Sequence, residues 1–260
     1  MTVKTRSAFN YGHVIDSSNY QLNFNEGGPE LTAELNVSSY SLGGFATKIE
    51  RSLNAAGGQT YTVTVDRTVT NNRKLTISAS SNFSLLISSG SNSSTSAFSL
   101  AGYTGADLGP GLSFTSDTPS GSEFRPQFLL QEFVDFEDDQ SAVNSTVNEA
   151  SSGVVETVSY GLAKRMTYNI VNQTELTQGD NNYIENNPTG VSDLRDFMVA
   201  ITKKSTIEFI PDRNNPSVVT ECYLERTPES GNGTAFRLKE QYNRTLADYF
   251  DTGALVFRKV

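Results

Sequence analysis

The sequence predicts an α+β protein that is mainly β: an antiparallel β-sandwich or half-barrel with one flanking helix, joined to a small α+β N-terminal domain. Three observations point there. Period-two alternation of apolar and polar residues recurs in short segments from residue 20 to the C-terminus, whereas helical spacing is sustained in only two segments. Turn signals rich in Gly, Pro and Asn separate these segments. Charge and composition change near residue 121, which sets the domains at 1–121 and 122–260. The first is Ser/Thr-rich, with 35 such residues among its 121.

In chain order, residues 1–20 read as polar and irregular, with a short strand at His13–Ile15. Tyr20–Phe24 and Leu31–Leu35 alternate on either side of Asn25-Glu-Gly-Gly-Pro29, which predicts a hairpin. From Ser41 the period changes. Leu42, Phe45, Ile49 and Leu53 fall at helical spacing, Ser41 is a candidate N-cap, and Gly57-Gly58 is a stop. Tyr61–Val65 is a strand rich in β-branched residues. Leu75–Ala79 and Phe83–Ile87 are two further strands, Ala97–Ala101 a helical turn or two, and Leu112–Phe114 a short last strand. Ser116–Gly121 has the composition of a linker.

The second part opens with a long strand from Ser122, an acidic turn region, and a returning strand up to Thr167. Pro126 and a phase switch at Leu129-Leu130 suggest an edge and a bulge. Met166–Val171 continues the return, and Gln178–Gly190 is polar and turn-like. Val191, Leu194, Met198 and Ile201 form the stripe of a second helix, Val191–Lys203. Strands follow at Ile207–Pro211, Val218–Arg226, Ala235–Glu240 and Leu255–Phe257.

Charge is distributed unevenly. Residues 1–121 carry seven basic and eight acidic side chains, residues 122–185 three and eleven, and residues 186–260 ten and ten. Nearly all of the net −9 therefore sits in one central block. A pI near 4.7 argues against nucleic-acid binding, which needs a basic footprint. No apolar run approaches the roughly 20 residues that span a bilayer, so no membrane partner is expected. The N-terminal residues lack a signal-peptide pattern, so the Asn-x-Ser/Thr sites at Asn36, Asn82, Asn92, Asn144, Asn172, Asn232 and Asn243 reflect composition. Bulky core material comes from 15 Phe and 11 Tyr.

No catalytic constellation emerges. His13 is the only histidine and has no nucleophile beside it, so a surface or packing role is expected. Cys222 is the only cysteine, which excludes an intrachain disulfide and a cysteine metal cluster, and it reads as a small buried hydrophobe. Glu132, Asp135, Glu137, Asp138 and Asp139 are oxygen ligands in kind. Their spacing is not that of an EF-hand loop, and the glycine such a loop needs is missing. A glycosidase pair drawn from them would lack the usual aromatic sugar platform of Trp. Gly102–Gly105 and Gly105–Gly111 lack the Lys-Ser/Thr of a P-loop and read as turns. No enzyme activity, cofactor or metal is expected.

Ile49–Asp107, with its Tyr-Thr-Val, Lys-Leu-Thr-Ile-Ser and Phe-Ser-Leu-Leu strands and its Leu-Ala-Gly-Tyr-Thr-Gly closing turn, resembles a unit found in tailed-bacteriophage virion proteins. Ser122-Glu-Phe-Arg-Pro-Gln-Phe128, Asn187-Pro-Thr-Gly190, Glu208-Phe-Ile-Pro-Asp212 and Leu238-Lys-Glu240 are similar to one lineage of phage tail structural proteins, the distal tail and baseplate type with the tail-tube fold. Together the similarity spans about residues 20–260. It implies a hexameric ring around the DNA channel, with tail tube, hub and tape-measure proteins as neighbours, in a virion assembled in the host cytoplasm. These are packing and turn motifs, and no enzymatic residue carries over.

On this view Glu132, Asp135, Glu137, Asp138 and Asp139 face the lumen or its mouth and repel phosphates, so DNA passes without specific binding. Phe128, Leu130, Val154, Val158 and Tyr160 are candidates for strands shared between subunits, a pairing that would close the sheet edges. The neutral N-terminal domain becomes an outward decoration or contact domain. A receptor-binding or tail-fibre protein is the rival from another class, though the chain has neither coiled-coil heptads nor a repetitive β signature. A tail tube or tail terminator protein is a nearer alternative.

Overall fold

The computed structural model describes residues 3–4, 7–70, 72–125, 127–128, 134–142, 146–149, 155–158, 162–170, 173–174, 191–203, 205–226, 239–242 and 248–260. In chain order its strands are β1 (Val3–Lys4), β2 (Ala8–Tyr11), β3 (His13–Ile15), β4 (Gln21–Asn25), β5 (Glu30–Glu34), β6 (Ser38–Tyr40), β7 (Tyr61–Val65), β8 (Leu75–Leu85), β9 (Leu108–Thr115), β10 (Ser122–Phe124) and β11 (Gln127–Phe128). They continue as β12 (Val134–Ala142), β13 (Thr146–Glu149), β14 (Val155–Val158), β15 (Leu162–Ile170), β16 (Gln173–Thr174), β17 (Ile207–Ile210), β18 (Thr220–Arg226), β19 (Lys239–Tyr242), β20 (Asp248–Asp251) and β21 (Gly253–Lys259). The helices are α1 (Leu42–Ala56) and α2 (Val191–Thr202), and a 3₁₀ turn covers Ser93–Thr95. The protein is mainly β, and its named strand ladders are antiparallel.

The chain divides into two compact units. One comprises residues 6–125 and 205–221, the other 1–5, 126–204 and 222–260. The composition change suggests a boundary at 121/122. The structural division falls four residues later and returns 205–221 to the first unit.

In the first unit, helix α1 covers a sheet ordered β5-β4-β8-β7, with β9 also paired to β8. The helix begins where expected. The Ser41 hydroxyl accepts the Gly44 N–H at 3.0 Å, which satisfies one of the donors a helix leaves open at its start. Leu42, Phe45, Ala46, Ile49 and Leu53 are buried against the sheet side chains Phe24, Tyr61, Leu75, Ile77, Phe83 and Leu85. Edge-to-face contacts run from Phe24 through Tyr61 and Phe83 to Phe114, with ring centroids 5.5, 5.3 and 4.9 Å apart. A second set of strands, β10-β2-β17, packs Phe9 against Phe124 and Phe209.

Several local expectations change. Leu75–Ala79 and Phe83–Ile87 are parts of one strand, β8, which runs through Ser80, Ser81 and Asn82. Pairing with β7 at one end, with β4 at the other and with β9 at both keeps that polar middle extended. Residues 8–11 form the buried strand β2, although their local sequence reads as irregular. The 97–101 segment is a single turn, closed by the Ala101 N–H on the Ala97 carbonyl at 3.0 Å, and the last strand extends to Leu108–Thr115. The predicted linker is an anchored loop. Ser116 and Ser120 are buried, and Ser116 Oγ accepts the Leu75 N–H at 3.1 Å.

In the second unit the order is β18-β21-β15-β12, with separate pairings β16-β20-β19, β13-β14 and β1-β11. Met166, Tyr168, Ile170, Leu224, Leu255 and Phe257 are buried on alternate positions of their strands, together with Cys222. Helix α2 buries Leu194, Met198 and Ile201 of the predicted stripe, together with Phe197, and the Val191 side chain lies outside the described ones. The β18/β21 ladder shifts register between Leu224 and Arg226. The bulge expected at Leu129-Leu130 lies outside the described residues, as does Gln178–Gly190.

Candidate functional site

Four acids of the charged block lie in one strand. The sequence predicts a long strand, an acidic turn region and a returning strand between Ser122 and Thr167, and Asp135, Glu137, Asp138 and Asp139 belong to β12, paired with β15 without interruption from Val134↔Ile170 to Ala142↔Leu162. A nine-residue ladder against Leu162–Ile170 overrides the low strand propensity of aspartate. Asp135, Glu137 and Asp139 stand opposite Asn169, Thr167 and Arg165, while Phe136 and Asp138 stand opposite Tyr168 and Met166. Tyr168 and Met166 are buried, and Arg165, Thr167 and Asn169 are half-exposed. Three of the four acids in this strand thus stand opposite the half-exposed residues of β15. Among these, Arg165 pairs with Glu225 at 2.6 Å.

Within its unit, β12 pairs with β15 alone and ends the order β18-β21-β15-β12 among the described residues. Beyond Ala142 the chain forms a smaller hairpin, β13-β14, with Thr146 opposite Val158 and Glu149 opposite Val155. Of the shared-strand candidates, Phe128 lies in β11 opposite Val3, and Val158 in β14. Glu132, Leu130, Val154 and Tyr160 lie outside the described residues.

The first unit holds a buried polar cluster that no local pattern announces. Glu208, in β17, is almost fully buried and accepts two hydrogen bonds from Arg67, at 2.6 and 2.8 Å. It also accepts the Gly43 N–H at 2.8 Å and the Asn10 side-chain N–H at 3.2 Å. Burial opposes its charge, but Arg67, Gly43 and Asn10 outweigh burial and hold the carboxyl below its ordinary range. Ser41 donates its hydroxyl to Glu221 at 2.6 Å. Helix α1 has no acidic residue in its own first turn. Two glutamates from 205–221 supply the negative charge that a helix N-terminus favours.

His13 sits in β3, the short strand expected at His13–Ile15, and is buried. Its Nε2 lies 3.2 Å from Ser120 Oγ, and its ring packs on Phe45 at 5.4 Å. Burial pulls its pKa down to about 4, so the ring is neutral at physiological pH. Gly121 sits against it with φ +62°, and a Cβ there would come within 2.5 Å of the ring. The ring is buried between Phe45 and Ser120.

A third cluster lies where β10 ends. Arg213 Nε reaches Glu123 at 2.7 Å, and a further N–H of Arg213 reaches the Val69 carbonyl at 3.3 Å. Burial and then Glu123 and Arg213 act on both Arg73 and Arg125. Arg73, Arg125 and Arg213 are each half-buried. The nearby Asp212 and Asp66 carboxylates accept the Asn214 and Thr68 N–H groups at 2.9 and 2.8 Å.

Among the described residues no group of three or more His, Cys, Asp or Glu side chains gathers as it would around a metal ion, and no helix is long and apolar enough to cross a membrane. Cys222 is buried. A shallow hollow along α1 and β5 is lined by Thr32, Glu34, Lys48, Arg51 and Ser52, without a convergent set of catalytic groups. No protein-family model matches the chain, and no curated protein matches it.

Proposed function

We propose that the chain is a non-enzymatic structural protein of a phage tail. It forms a ring at the distal tail or baseplate, continues the DNA channel and anchors neighbouring tail-tip proteins. The observation that carries this proposal is strand β12, with Asp135, Glu137 and Asp139 opposite the half-exposed residues of β15. A turn could scatter acids in any direction, whereas a strand sets them at a spacing of about 7 Å along one line. Such a line, repeated around a ring, gives a wall that repels phosphate.

The outer position of β12 in its sheet order supports the same reading, since an outer strand can pair with a neighbouring subunit. The sandwich or half-barrel of tail-tube type belongs to this proposal, as do the hexamer and the tail tube, hub and tape-measure neighbours. Residues 1–121, close to neutral, are the outward contact domain.

A receptor-binding role is the second reading, and one feature favours it. The β8/β9 ladder presents a run of hydroxyls, Thr76 to Thr115 and Ser78 to Ser113, each pair 2.8 Å apart and with no charge among them. Such a face suits a neutral glycan. A virion reconstruction separates the two readings. The ring reading places residues 134–142 within a few side-chain lengths of the channel axis; finding them on the outer wall, or finding the chain at a fibre tip, overturns it.

A further inference from the structure

We propose that the free edge of β5, together with the hollow between it and α1, is a docking site for an extended strand of another protein. That strand carries a carboxylate on the side facing α1 and basic side chains on its other side. The inference goes beyond the ring reading and does not depend on it.

The backbone of β5 is set for such an addition. Strand β5 ends the order β5-β4-β8-β7 and pairs with β4 alone among the described residues. In an antiparallel ladder, hydrogen-bonded and non-hydrogen-bonded pairs alternate. The Leu35 N–H donates to the Tyr20 carbonyl at 2.8 Å, which fixes the phase. Leu31 and Ala33 then bond to β4, while Glu30, Thr32 and Glu34 aim their backbone groups away from it. The partners on β4 agree. The Gln21 and Asn23 carbonyls, opposite Glu34 and Thr32, accept the Ala97 and Leu86 N–H groups instead. On the free side the Glu34 carbonyl accepts the Ser52 hydroxyl at 2.7 Å, which ties α1 to the edge. Open edges of this kind take up extended peptides, whose main chain supplies the bonds and whose alternate side chains supply selectivity.

Charge on the two sides selects the occupant. Towards α1 the hollow is lined by Lys48 and Arg51, then by Ala55 and Ala56. Lys48 donates to the Asn36 side chain at 2.9 Å, and Arg51 makes no ion pair among the described residues. The neighbouring carboxylates are engaged elsewhere. Glu50 accepts the Val63 N–H, and Glu26 accepts the Gly58 and Gln59 N–H groups. Ala33 is buried under α1, so the side chains of Glu30, Thr32 and Glu34 take the opposite face. There Glu30 receives the Ser91 N–H at 2.8 Å and Thr32 the Asn92 side chain at 3.3 Å. An added strand therefore meets two cations on one side and two glutamates on the other, and its alternate residues need opposite signs. A second copy of β5 fails that condition. Paired antiparallel about Thr32, it would set Glu30 against Glu34 at both ends, and such charges protect an exposed edge from pairing with itself.

A blocked peptide of sequence Lys-Glu-Thr-Val-Lys is the probe. Laid antiparallel, its lysines stand opposite Glu34 and Glu30, its glutamate reaches Arg51 and Lys48, and its valine lies over Ala55 and Ala56. Amide hydrogen exchange on the whole chain, followed by NMR, reads the binding. The Thr32 and Glu34 N–H groups are expected to exchange freely in the chain alone and to slow at least about threefold at millimolar peptide. Leu31 and Ala33 are expected to be protected without it. A peptide with lysine in place of its glutamate is expected to bind about threefold more weakly. Arg51→Glu, at an exposed helix position, is expected to reverse that preference. Thr32→Pro removes one outward N–H at an edge, where proline is tolerated, and is expected to weaken binding about tenfold.

Slow exchange of the Thr32 and Glu34 N–H groups in the chain alone, at every concentration, overturns the proposal, because the chain then covers its own edge. Slowing that grows with protein concentration in the absence of peptide overturns it in favour of a second copy. Exchange at these groups that the peptide leaves unchanged overturns it as well. So does a preference between the two peptides that Arg51→Glu does not move.

Discussion

In the unit built from residues 6–125 and 205–221, carboxylates tie the chain to itself. Glu26 receives the Gly58 and Gln59 N–H groups and the Tyr61 hydroxyl at 2.9–3.1 Å, holding the turn after α1 to the start of β7. Asp107 accepts N–H and O–H groups from Ser88 and Ser89, and although burial works against its charge these donors lower its pKa to about 2. Glu50 receives the Val63 N–H at 2.9 Å, and Glu208 takes four hydrogen bonds. In the other unit, Asp135, Glu137, Asp138 and Asp139 follow one another along β12. Acids of the first kind are part of the fold. Along β12 like charges follow one another on a single strand, where they repel.

The largest test of this contrast is Glu208→Ala. It leaves the Arg67 guanidinium and the Gly43 N–H without their acceptor in a buried site, and the expected loss is about 3–5 kcal/mol of unfolding free energy. Urea denaturation measures it. A loss below about 1 kcal/mol would mean that water replaces the carboxylate and that the contrast is overstated.

Acid titration comes next. His13 binds its proton less readily folded, near pH 4, than unfolded, near 6.5. Folding stability is therefore undiminished above pH 6.5 and falls as pH drops from 6.5 towards 4, by up to about 3 kcal/mol. His13→Gln is expected to remove that part of the slope. Thermal melts across this range check it, and an unchanged slope in the variant would assign the loss to other groups.

Gly121→Ala should cost about 1–3 kcal/mol, from a left-handed backbone and a methyl driven against the His13 ring. Ser41→Ala should cost about 1 kcal/mol, because it removes both the N-cap of α1 and the hydroxyl that donates to Glu221. Both are read from denaturation midpoints.

The smallest stability effect is the most informative for function. Asp135→Asn, Glu137→Gln and Asp139→Asn together should change stability by no more than about 0.5 kcal/mol per site. On the proposed ring reading they should nevertheless slow DNA ejection from assembled particles. If the triple variant fails to fold, these acids are structural after all, and the contrast between the two units collapses.

Segments whose evidence is local were legible in the sequence. Helix α1 emerges from the spacing of Leu42, Phe45, Ile49 and Leu53, with Ser41 before it and Gly57 after. Strand β7 emerges from Tyr61-Thr-Val-Thr-Val, which buries alternate residues, and α2 from its apolar stripe. The acidic block is legible as a count, because charge adds along a chain whatever its shape. None of this depends on distant residues, since propensity and periodicity act over a few positions.

What only the tertiary structure decided depends on partners far away in the chain. Glu208 meets Arg67 across 141 positions and Asn10 across 198, and nothing in Ile-Glu-Phe-Ile marks its glutamate as the buried one. Ser116 and Ser120 look like linker residues until Leu75 and His13 are found against them. The aspartates of β12 have no ladder until β15 lies alongside. A buried polar group is stable only when its hydrogen bonds are made, and a strand rich in aspartate only when a neighbour completes its ladder. Those conditions are met by the assembled fold, which is why composition could announce the charge and only the structure could place it on a strand.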